Sequence, residues 1–331
     1  MFIQTDPELK NYNTIRIGGK VAKMFYPTTE GEIVEAVLIC KKNNLPFVFL
    51  AGGSNTVFPD KDLDYNQAVI NLSKLNQISY IKNEKGILIT AQAGVILQTL
   101  VDLSLEEGSG AMVGLNRVPG SIGGATVGNA GAYGTEIKDL VTQVKAIRKS
   151  DILDSKNIFN KPKIYTLTNQ DCHFIYRHSE FKNDLDWIVL EVELFCPFGS
   201  NLESDKIRYD DIATKRDSVY PKGFASPGSL FKNILFSELT PEQQATIPKE
   251  WIVFGNKLPV GRLLEELGLK GYSIGGIKMT DRHPNIMLNY NQASFEDAQA
   301  MVKFLQARIK QEFGIDIVPE VRFLSSNFDE F

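Results

Sequence analysis

Alternating strand-like and helix-like segments, glycines crowded into two loops, and an ordinary soluble composition predict a mixed α/β or α+β chain of two or three domains. Thr29 to Leu38 has a helix start, with early acids and apolar residues at i, i+3 and i+4. Phe47-Val48-Phe49-Leu50 reads as a short buried strand, entered from Pro46 and stopped by Gly52-Gly53. Ile87 to Ala91 is a second strand candidate, followed by a helix through Leu97, Leu100, Val101 and Leu105. Pro197, Gly199, Pro221, Gly223 and Pro227 surround a charged stretch, Tyr209 to Arg216, and place a domain boundary within about 197–226. Near the end, Ser294 caps a predicted helix with Ala298, Met301, Val302, Leu305, Ile309 and Phe313 on one face. Gly314 stops it, and a strand from Ile315 to Leu324 is expected to finish the fold.

Composition narrows the function classes. The 331 residues are 43% hydrophobic and 23% charged, which suits large cores and argues against disorder. Thirty-six Lys and Arg against 40 Asp and Glu leave −4 with no basic block, so nucleic acid has no electrostatic invitation. No apolar run approaches the ~20 residues of a membrane helix. The first residues lack the basic-then-apolar layout of a signal peptide, and a cytoplasmic protein is expected. Cys40, Cys172 and Cys196 are widely spaced and form no CxxC, which speaks against a disulfide frame or zinc site. His173, His178 and His283 are too scattered for a metal site, so no metal is expected.

Glycine is the strongest anomaly. Seven of 26 glycines fall in the 21 residues from Gly114 to Gly134, GLNRVPGSIGGATVGNAGAYG, and a shorter cluster, Ala51-Gly52-Gly53-Ser54-Asn55, follows the buried strand. Such clusters mark left-handed turns or close approach of a ligand to the backbone, and unhindered N–H groups can bind phosphate. Tight turns without a ligand are the plainer explanation, weaker for two loops than for one. A dinucleotide fingerprint fits poorly: Gly108-Ser109-Gly110-Ala111-Met112-Val113-Gly114 has the wrong last spacing and no strand immediately before it. No GxxxxGK[ST] is present.

The segments AGGSN (51–55), GLNRVPGSIGGATVGNAGAYG (114–134), YRHSEFK (176–182), GSLFKN (228–233), LKGYSIGGIKMTDRH (269–283) and VPEVRFL (318–324) occur in an order that resembles the UDP-N-acetylenolpyruvoylglucosamine reductase family. The resemblance runs over nearly the whole chain. It implies an α+β fold: a two-lobed FAD-binding module of the vanillyl-alcohol-oxidase type over 1–198, split near 72, and a UDP-sugar substrate domain over 206–318. A C-terminal segment, 319–331, carries Glu320 and is expected to return to the first lobe. It also implies non-covalent FAD, NADPH as hydride donor, and UDP-N-acetylglucosamine enolpyruvate as acceptor in bacterial peptidoglycan synthesis. In that family hydride passes from flavin N5 to C3 of the enolpyruvyl ether, and an acid protonates C2. The expected partners are these small molecules alone, with no nucleic acid or membrane, and the expected state is a monomer.

Site residues are carried over on matching positions. Ala51, Gly52, Gly53, Ser54, Asn55 and Thr56 match the pyrophosphate loop. Gly114, Pro119, Gly120, Ser121, Gly123, Gly124, Asn129, Gly131 and Ala132 match the second flavin-lining segment. Tyr133, Tyr176, Lys232 and Asn233 match substrate contacts, while Tyr209, Tyr220 or neither covers the UDP. Arg177 and Glu320 match the groups that polarise the substrate carboxylate, and Ser229 matches the proton donor to C2. Without the motifs, Arg177 would read as a surface ion-pair partner of Glu180, Ser229 as a turn residue, and Glu320 as an exposed pair with Arg322. Pro284-Asn285-Ile286 and Tyr220-Pro221-Lys222 depart from the family pattern. Two other functions compete. One is a different FAD oxidoreductase of this fold, acting on an alcohol or hydroxy acid; many such enzymes tether FAD through His or Cys, which 51–55 and 114–134 lack. The other is a silent FAD or nucleotide-sugar binder, which intact catalytic positions oppose.

Overall fold

Thr29 turns the chain into its first long helix, Glu30–Lys42, by accepting the Glu32 N–H on its side-chain oxygen at 3.3 Å. Glu30 and Glu32 add negative charge to that first turn, where the helix dipole favours it. The computed structural model describes residues 1–61, 66–154, 162–199, 201–220, 223–253 and 255–328, so Pro221 and Lys222 lie outside the described residues. Ile33, Ala36, Val37 and Cys40 of the helix are buried and share a core with Phe25, Ala68 and Ile70. The strand Phe47–Leu50 forms where its apolar run predicts. It pairs in parallel with Ala68–Asn71, which pairs in parallel with Lys23–Tyr26, and Phe2–Thr5 lines the edge antiparallel.

A second sheet is antiparallel, in the order Tyr165–Thr168, Val141–Arg148, Trp187–Pro197, Gly86–Gln92, Ile78–Lys82. Side chains alternate along Gly86–Gln92 and send Ile87, Ile89 and Ala91 inward, where helix Leu97–Glu106 adds Leu97, Leu100 and Val101. Ile147, Ile188 and Leu190 of this sheet complete the first core. The first sheet ends at Asn71 and the second begins at Ile78.

The chain divides into two compact units: Met1–Pro7, Val21–Gly53 and Asp64–Ser218 form one, and Glu8–Lys20, Ser54–Leu63 and Val219–Phe331 the other. This differs from the partition 1–198, 206–318 and 319–331 for identifiable reasons. The charged stretch is part of a helix, Leu202–Val219, tied to the first unit by Tyr209. The tyrosine hydroxyl donates to Asp102 Oδ1 at 2.8 Å and its carbonyl accepts from Asn116 Nδ2 at 2.8 Å. Two early segments join the second unit. Ser226 N–H donates to Thr14 O at 3.0 Å, Asn289 Nδ2 donates to Ile15 O at 3.0 Å, and Ile15, Ile17 and Val57 lie in its core.

In the second unit, helix Phe295–Phe313 starts at Ser294 and stops at Gly314, φ +67, as the sequence predicts. Ser294 Oγ accepts the Asp297 N–H and Asp297 Oδ2 accepts the Ser294 N–H, each at 3.0 Å. Ala298, Met301, Leu305 and Ile309 pack with Leu263, Leu264, Met279 and Met287. The expected strand Ile315–Leu324 is corrected: only Arg322–Phe323 is a strand, paired in parallel with Thr56–Val57. Before it, Pro319 pairs with Phe231 in an isolated bridge, flanked by the bonds of Lys232 N–H to Val318 O and of Glu320 N–H to Leu230 O.

Candidate functional site

In the first unit the two glycine loops meet through bare backbone. A Cβ on Gly52 would lie 2.7 Å from the Gly120 Cα. Gly53 (φ +60) and Gly120 (φ +113) occupy conformations that L side chains rarely adopt. Ser121 then caps the short helix Ile122–Val127, its oxygen accepting the Gly124 N–H at 3.3 Å. Gly123 packs under Ala93, where a Cβ would come within 2.7 Å of another Cβ, and Gly131 would meet Glu136 Cγ at 2.6 Å. Gly114 is closed in by Thr135 and Ala132. These glycines are accounted for by packing inside the protein.

Gly124 and Gly128 are not. A Cβ on Gly124 would meet only Ser121 Oγ at 3.6 Å, and one on Gly128 only Gly124 O at 3.6 Å, both ordinary contacts. Neither has a left-handed backbone. Glycine in a helix costs roughly 0.5–1 kcal/mol relative to alanine, and the i, i+4 spacing puts both on one face. Gly124 is exposed. Among the described residues of this unit, no hydrogen bond takes up the main-chain N–H of Gly52, Gly53 or Ser121. A bare helical face beside uncommitted N–H groups is the arrangement a flat ring system with an anionic diphosphate fits, so the residues suit FAD.

Arg177 is set by a tight turn. Ile175 and His178 exchange main-chain hydrogen bonds of 3.1 Å each, and Arg177 takes the left-handed third position at φ +56. Its Nη2 donates to Gly131 O at 2.6 Å, and its guanidinium lies 5.1 Å from the Tyr176 ring. Glu180, the partner a surface ion pair would require, meets His173 Nδ1 at 3.3 Å. Asn129 is fully buried at φ +41, and its side chain holds this turn on the glycine segment. Asn129 Nδ2 donates to Ile175 O at 2.8 Å and to Glu136 Oε2 at 3.2 Å, while Oδ1 accepts the Lys138 N–H at 3.0 Å. Its side-chain amide is therefore engaged on both its nitrogen and its oxygen by protein groups. Ser179 Oγ, donating to Val127 O at 2.7 Å, ties the turn's base to the helix. Ala132 and Tyr133 follow Gly131; Tyr133 is 43% exposed at φ +47, and its carbonyl accepts from Arg208 Nη2 at 2.6 Å. Left-handed backbone at Asn129, Tyr133 and Arg177 thus falls on predicted site residues.

In the second unit Ser229 and Glu320 lie on extended segments that share Leu230. Ser229 forms a bridge with Ile286, Leu230 N–H donates to Asn285 O at 2.7 Å, and Glu320 N–H donates to Leu230 O at 2.8 Å. Lys232 N–H donates to Val318 O at 3.1 Å, and Asn233 Oδ1 accepts the Val260 N–H at 3.4 Å. Asn55 is a clip on the glutamate: Nδ2 donates to Glu320 O at 3.0 Å and its carbonyl accepts the Arg322 N–H at 3.0 Å. Ser54 O accepts from Thr14 Oγ1 at 3.2 Å, and Thr56 is buried in its strand. The predicted residues therefore fall into two groups, Ala51–Gly53 with 114–133, Tyr176 and Arg177 in one unit, and Ser54–Thr56, Ser229, Lys232, Asn233 and Glu320 in the other.

Asn285 and Tyr209 are the structural participants that sequence reasoning did not single out for these roles. Tyr209 OH donates to Asp102, and burial followed by that bond pushes its phenol above the ordinary range. Burial pushes the Cys40 and Cys172 thiols up to about 12 and Cys196 to about 11, so none is a ready nucleophile. Among the described residues no His, Cys, Asp and Glu cluster could hold a metal, and no helix is long and apolar enough to cross a membrane.

Two family models match, one described as an FAD binding domain over residues 21–151, the other as the UDP-N-acetylenolpyruvoylglucosamine reductase C-terminal domain over 220–324. The chain is 30% identical over 330 residues to the UDP-N-acetylenolpyruvoylglucosamine reductase of Clostridium botulinum (strain Alaska E43 / Type E3), covering 98% of this chain and 94% of that relative. It is 30% identical over 314 residues to the Thermotoga maritima protein of the same name, covering 95% and 96%. Among solved structures, UDP-N-acetylenolpyruvylglucosamine reductase from Thermus caldophilus matches with a TM-score of 0.70 over 97% of this chain and 99% of that one. At 24% identity that likeness speaks for the fold.

Proposed function

Because the chain belongs to the UDP-N-acetylenolpyruvoylglucosamine reductase family, we infer that Arg177, Ser229 and Glu320 carry out its reduction of UDP-N-acetylglucosamine enolpyruvate to UDP-N-acetylmuramate. FAD, when bound, relays hydride from NADPH to C3 of the enolpyruvyl group. The protein's part is to hold that cofactor, orient the substrate, stabilise charge and deliver a proton.

Gly52, Gly53 and Ser121 offer main-chain N–H groups to the diphosphate, and Gly124 with Gly128 leaves room for the ring system. Arg177 carries a permanent positive charge on a guanidinium braced against Gly131 O. A brace of this kind lets the charge stabilise the carboxylate as electron density arrives, with little reorganisation. Glu320, its main chain fixed by Leu230 and Asn55, is the second group assigned to that carboxylate. The Ser229 hydroxyl supplies the proton to C2, a task that depends on fixed geometry because an alcohol is a weak acid. The observation carrying this reading is the bonding of Ser229's neighbour Leu230 directly to Glu320, two predicted catalytic positions 91 residues apart in sequence brought side by side.

The alternative FAD oxidoreductase is not favoured, since the match over 220–324 is to the reductase's own C-terminal domain. A monomeric, cytoplasmic enzyme is part of the proposal, and light scattering with cell fractionation tests both. An anaerobic visible spectrum tests the central reading: yellow protein bleached by NADPH should recover colour on addition of the enolpyruvyl substrate. Protein that takes up no FAD, or bleaches without recovery, would refute it.

A further inference from the structure

We propose that Asn285 is a positioning residue for the reduction, a side-chain clamp that holds Ser229 at its donor position; this rests on the reductase reading above. The chain before Ser229 is held at Ser226, whose N–H donates to Thr14 O at 3.0 Å and whose Oγ accepts the Gly228 N–H at 3.1 Å. Gly228 is left-handed at φ +92, and a Cβ there would meet nothing within 4 Å. The serine is held from its other side by the residues opposite and after it.

Those residues are gripped by one asparagine. Asn285 is 2% exposed. Its Oδ1 accepts the Phe231 N–H at 3.0 Å and its Nδ2 donates to Phe231 O at 2.8 Å, so one amide closes on both main-chain groups of one residue. Its own carbonyl accepts the Leu230 N–H at 2.7 Å, and Ile286, the next residue, forms the bridge to Ser229. Leu230 in turn accepts the Glu320 N–H at 2.8 Å. Asn285 thus fixes two consecutive residues between the proposed proton donor and the segment that carries Glu320.

The chemistry of the clamp requires an amide. Only a side chain with an acceptor and a donor on one carbon can satisfy an N–H and a C=O of the same residue. Aspartate keeps the shape and loses the donor; alanine loses both and leaves the buried Phe231 groups without partners. Asn285 lies within the Pro-Asn-Ile departure from the family pattern, and the structure shows that this loop has an ordered role in the unit.

The test compares holoenzyme with Asn285→Asp and Asn285→Ala in the two half-reactions. NADPH-driven bleaching should stay within about twofold, while substrate-driven colour recovery slows by about 100-fold, the effect typical of a misplacement near 1 Å. The solvent deuterium isotope effect on recovery should rise as proton delivery becomes limiting. Asn285→Asp, which keeps volume, carries the test if the alanine variant does not fold, and FAD content and thermal unfolding are recorded for both. Equal slowing of both half-reactions, or recovery at the wild-type rate, would overturn the proposal. Wild-type protein that bleaches but does not recover would instead overturn the reductase reading itself.

Discussion

Arg177 in the first unit stands at a left-handed turn and braces against the carbonyl of Gly131, whereas Ser229 and Glu320 in the second lie on extended segments bonded on both sides through ordinary main-chain pairs. The first arrangement depends on conformational strain and on the absence of side chains. The second depends on hydrogen bonds and on a single buried amide. The two regions should therefore break differently, the first by adding atoms and the second by removing donors and acceptors.

The largest effect belongs to the second region. Ser229→Ala should slow substrate-driven flavin reoxidation by about 10²–10⁴-fold, the range of general acid catalysis, and leave reduction by NADPH nearly intact. Stopped-flow absorbance separates the two, and equal damage to both would deny the serine a specific proton-donor role. Next come two glycines that look alike in sequence. Gly52→Ala would drive a methyl into the Gly120 backbone and should destabilise the protein by about 1–3 kcal/mol. Gly124→Ala, whose methyl would meet only Ser121 Oγ at an ordinary 3.6 Å, should stabilise the FAD-free protein by up to about 1 kcal/mol while weakening FAD binding. Denaturant melts with and without FAD check both, and loss of apoprotein stability in Gly124→Ala would remove the argument that its face is kept bare for a ligand.

A smaller effect concerns pH. Desolvation pulls the His283 imidazole below its ordinary 6.5, although Glu265 and a local backbone bond oppose the shift. The unfolded chain then binds the proton more readily, so this contribution to stability is present above about pH 6.5 and is lost as pH falls toward the folded value. Melting temperature should fall on acidification, and less steeply in His283→Gln. Smallest of all, Cys40, Cys172 and Cys196 should resist neutral-pH alkylation until the protein unfolds, because burial raises all three thiols. Mass spectrometry of alkylated native protein would expose any exception.

Helix ends and short strands were legible because their causes are local. Thr29 and Ser294 cap through their own side chains, Gly314 supplies a left-handed stop, and Phe47–Leu50 is an apolar run between Pro46 and Gly52. The strand expected from Ile315 was misjudged because extended backbone becomes a strand only where a partner continues the ladder, and the pairing of Pro319 with Phe231 stays an isolated bridge. The candidate site was legible as motifs, yet Asn129, Asn55 and Asn285 could not be sorted by sequence into ligand contacts and internal clamps. Each is a short amide whose role depends on which main chain comes within reach.

By itself, the sequence determined the mixed α and β class, the glycine loops, the chemical identity of Arg177, Ser229 and Glu320, and the family resemblance, all properties of residue type and near neighbours. Tertiary structure alone decided that 8–20 and 54–63 join the C-terminal unit, that Gly52 is bare because Gly120 lies against it, and that Asn285 grips Phe231. Those outcomes rest on contacts between residues 54 or more positions apart. Hydrophobic patterning and capping do not encode such pairings, because only the packed cores fix which distant backbones can meet.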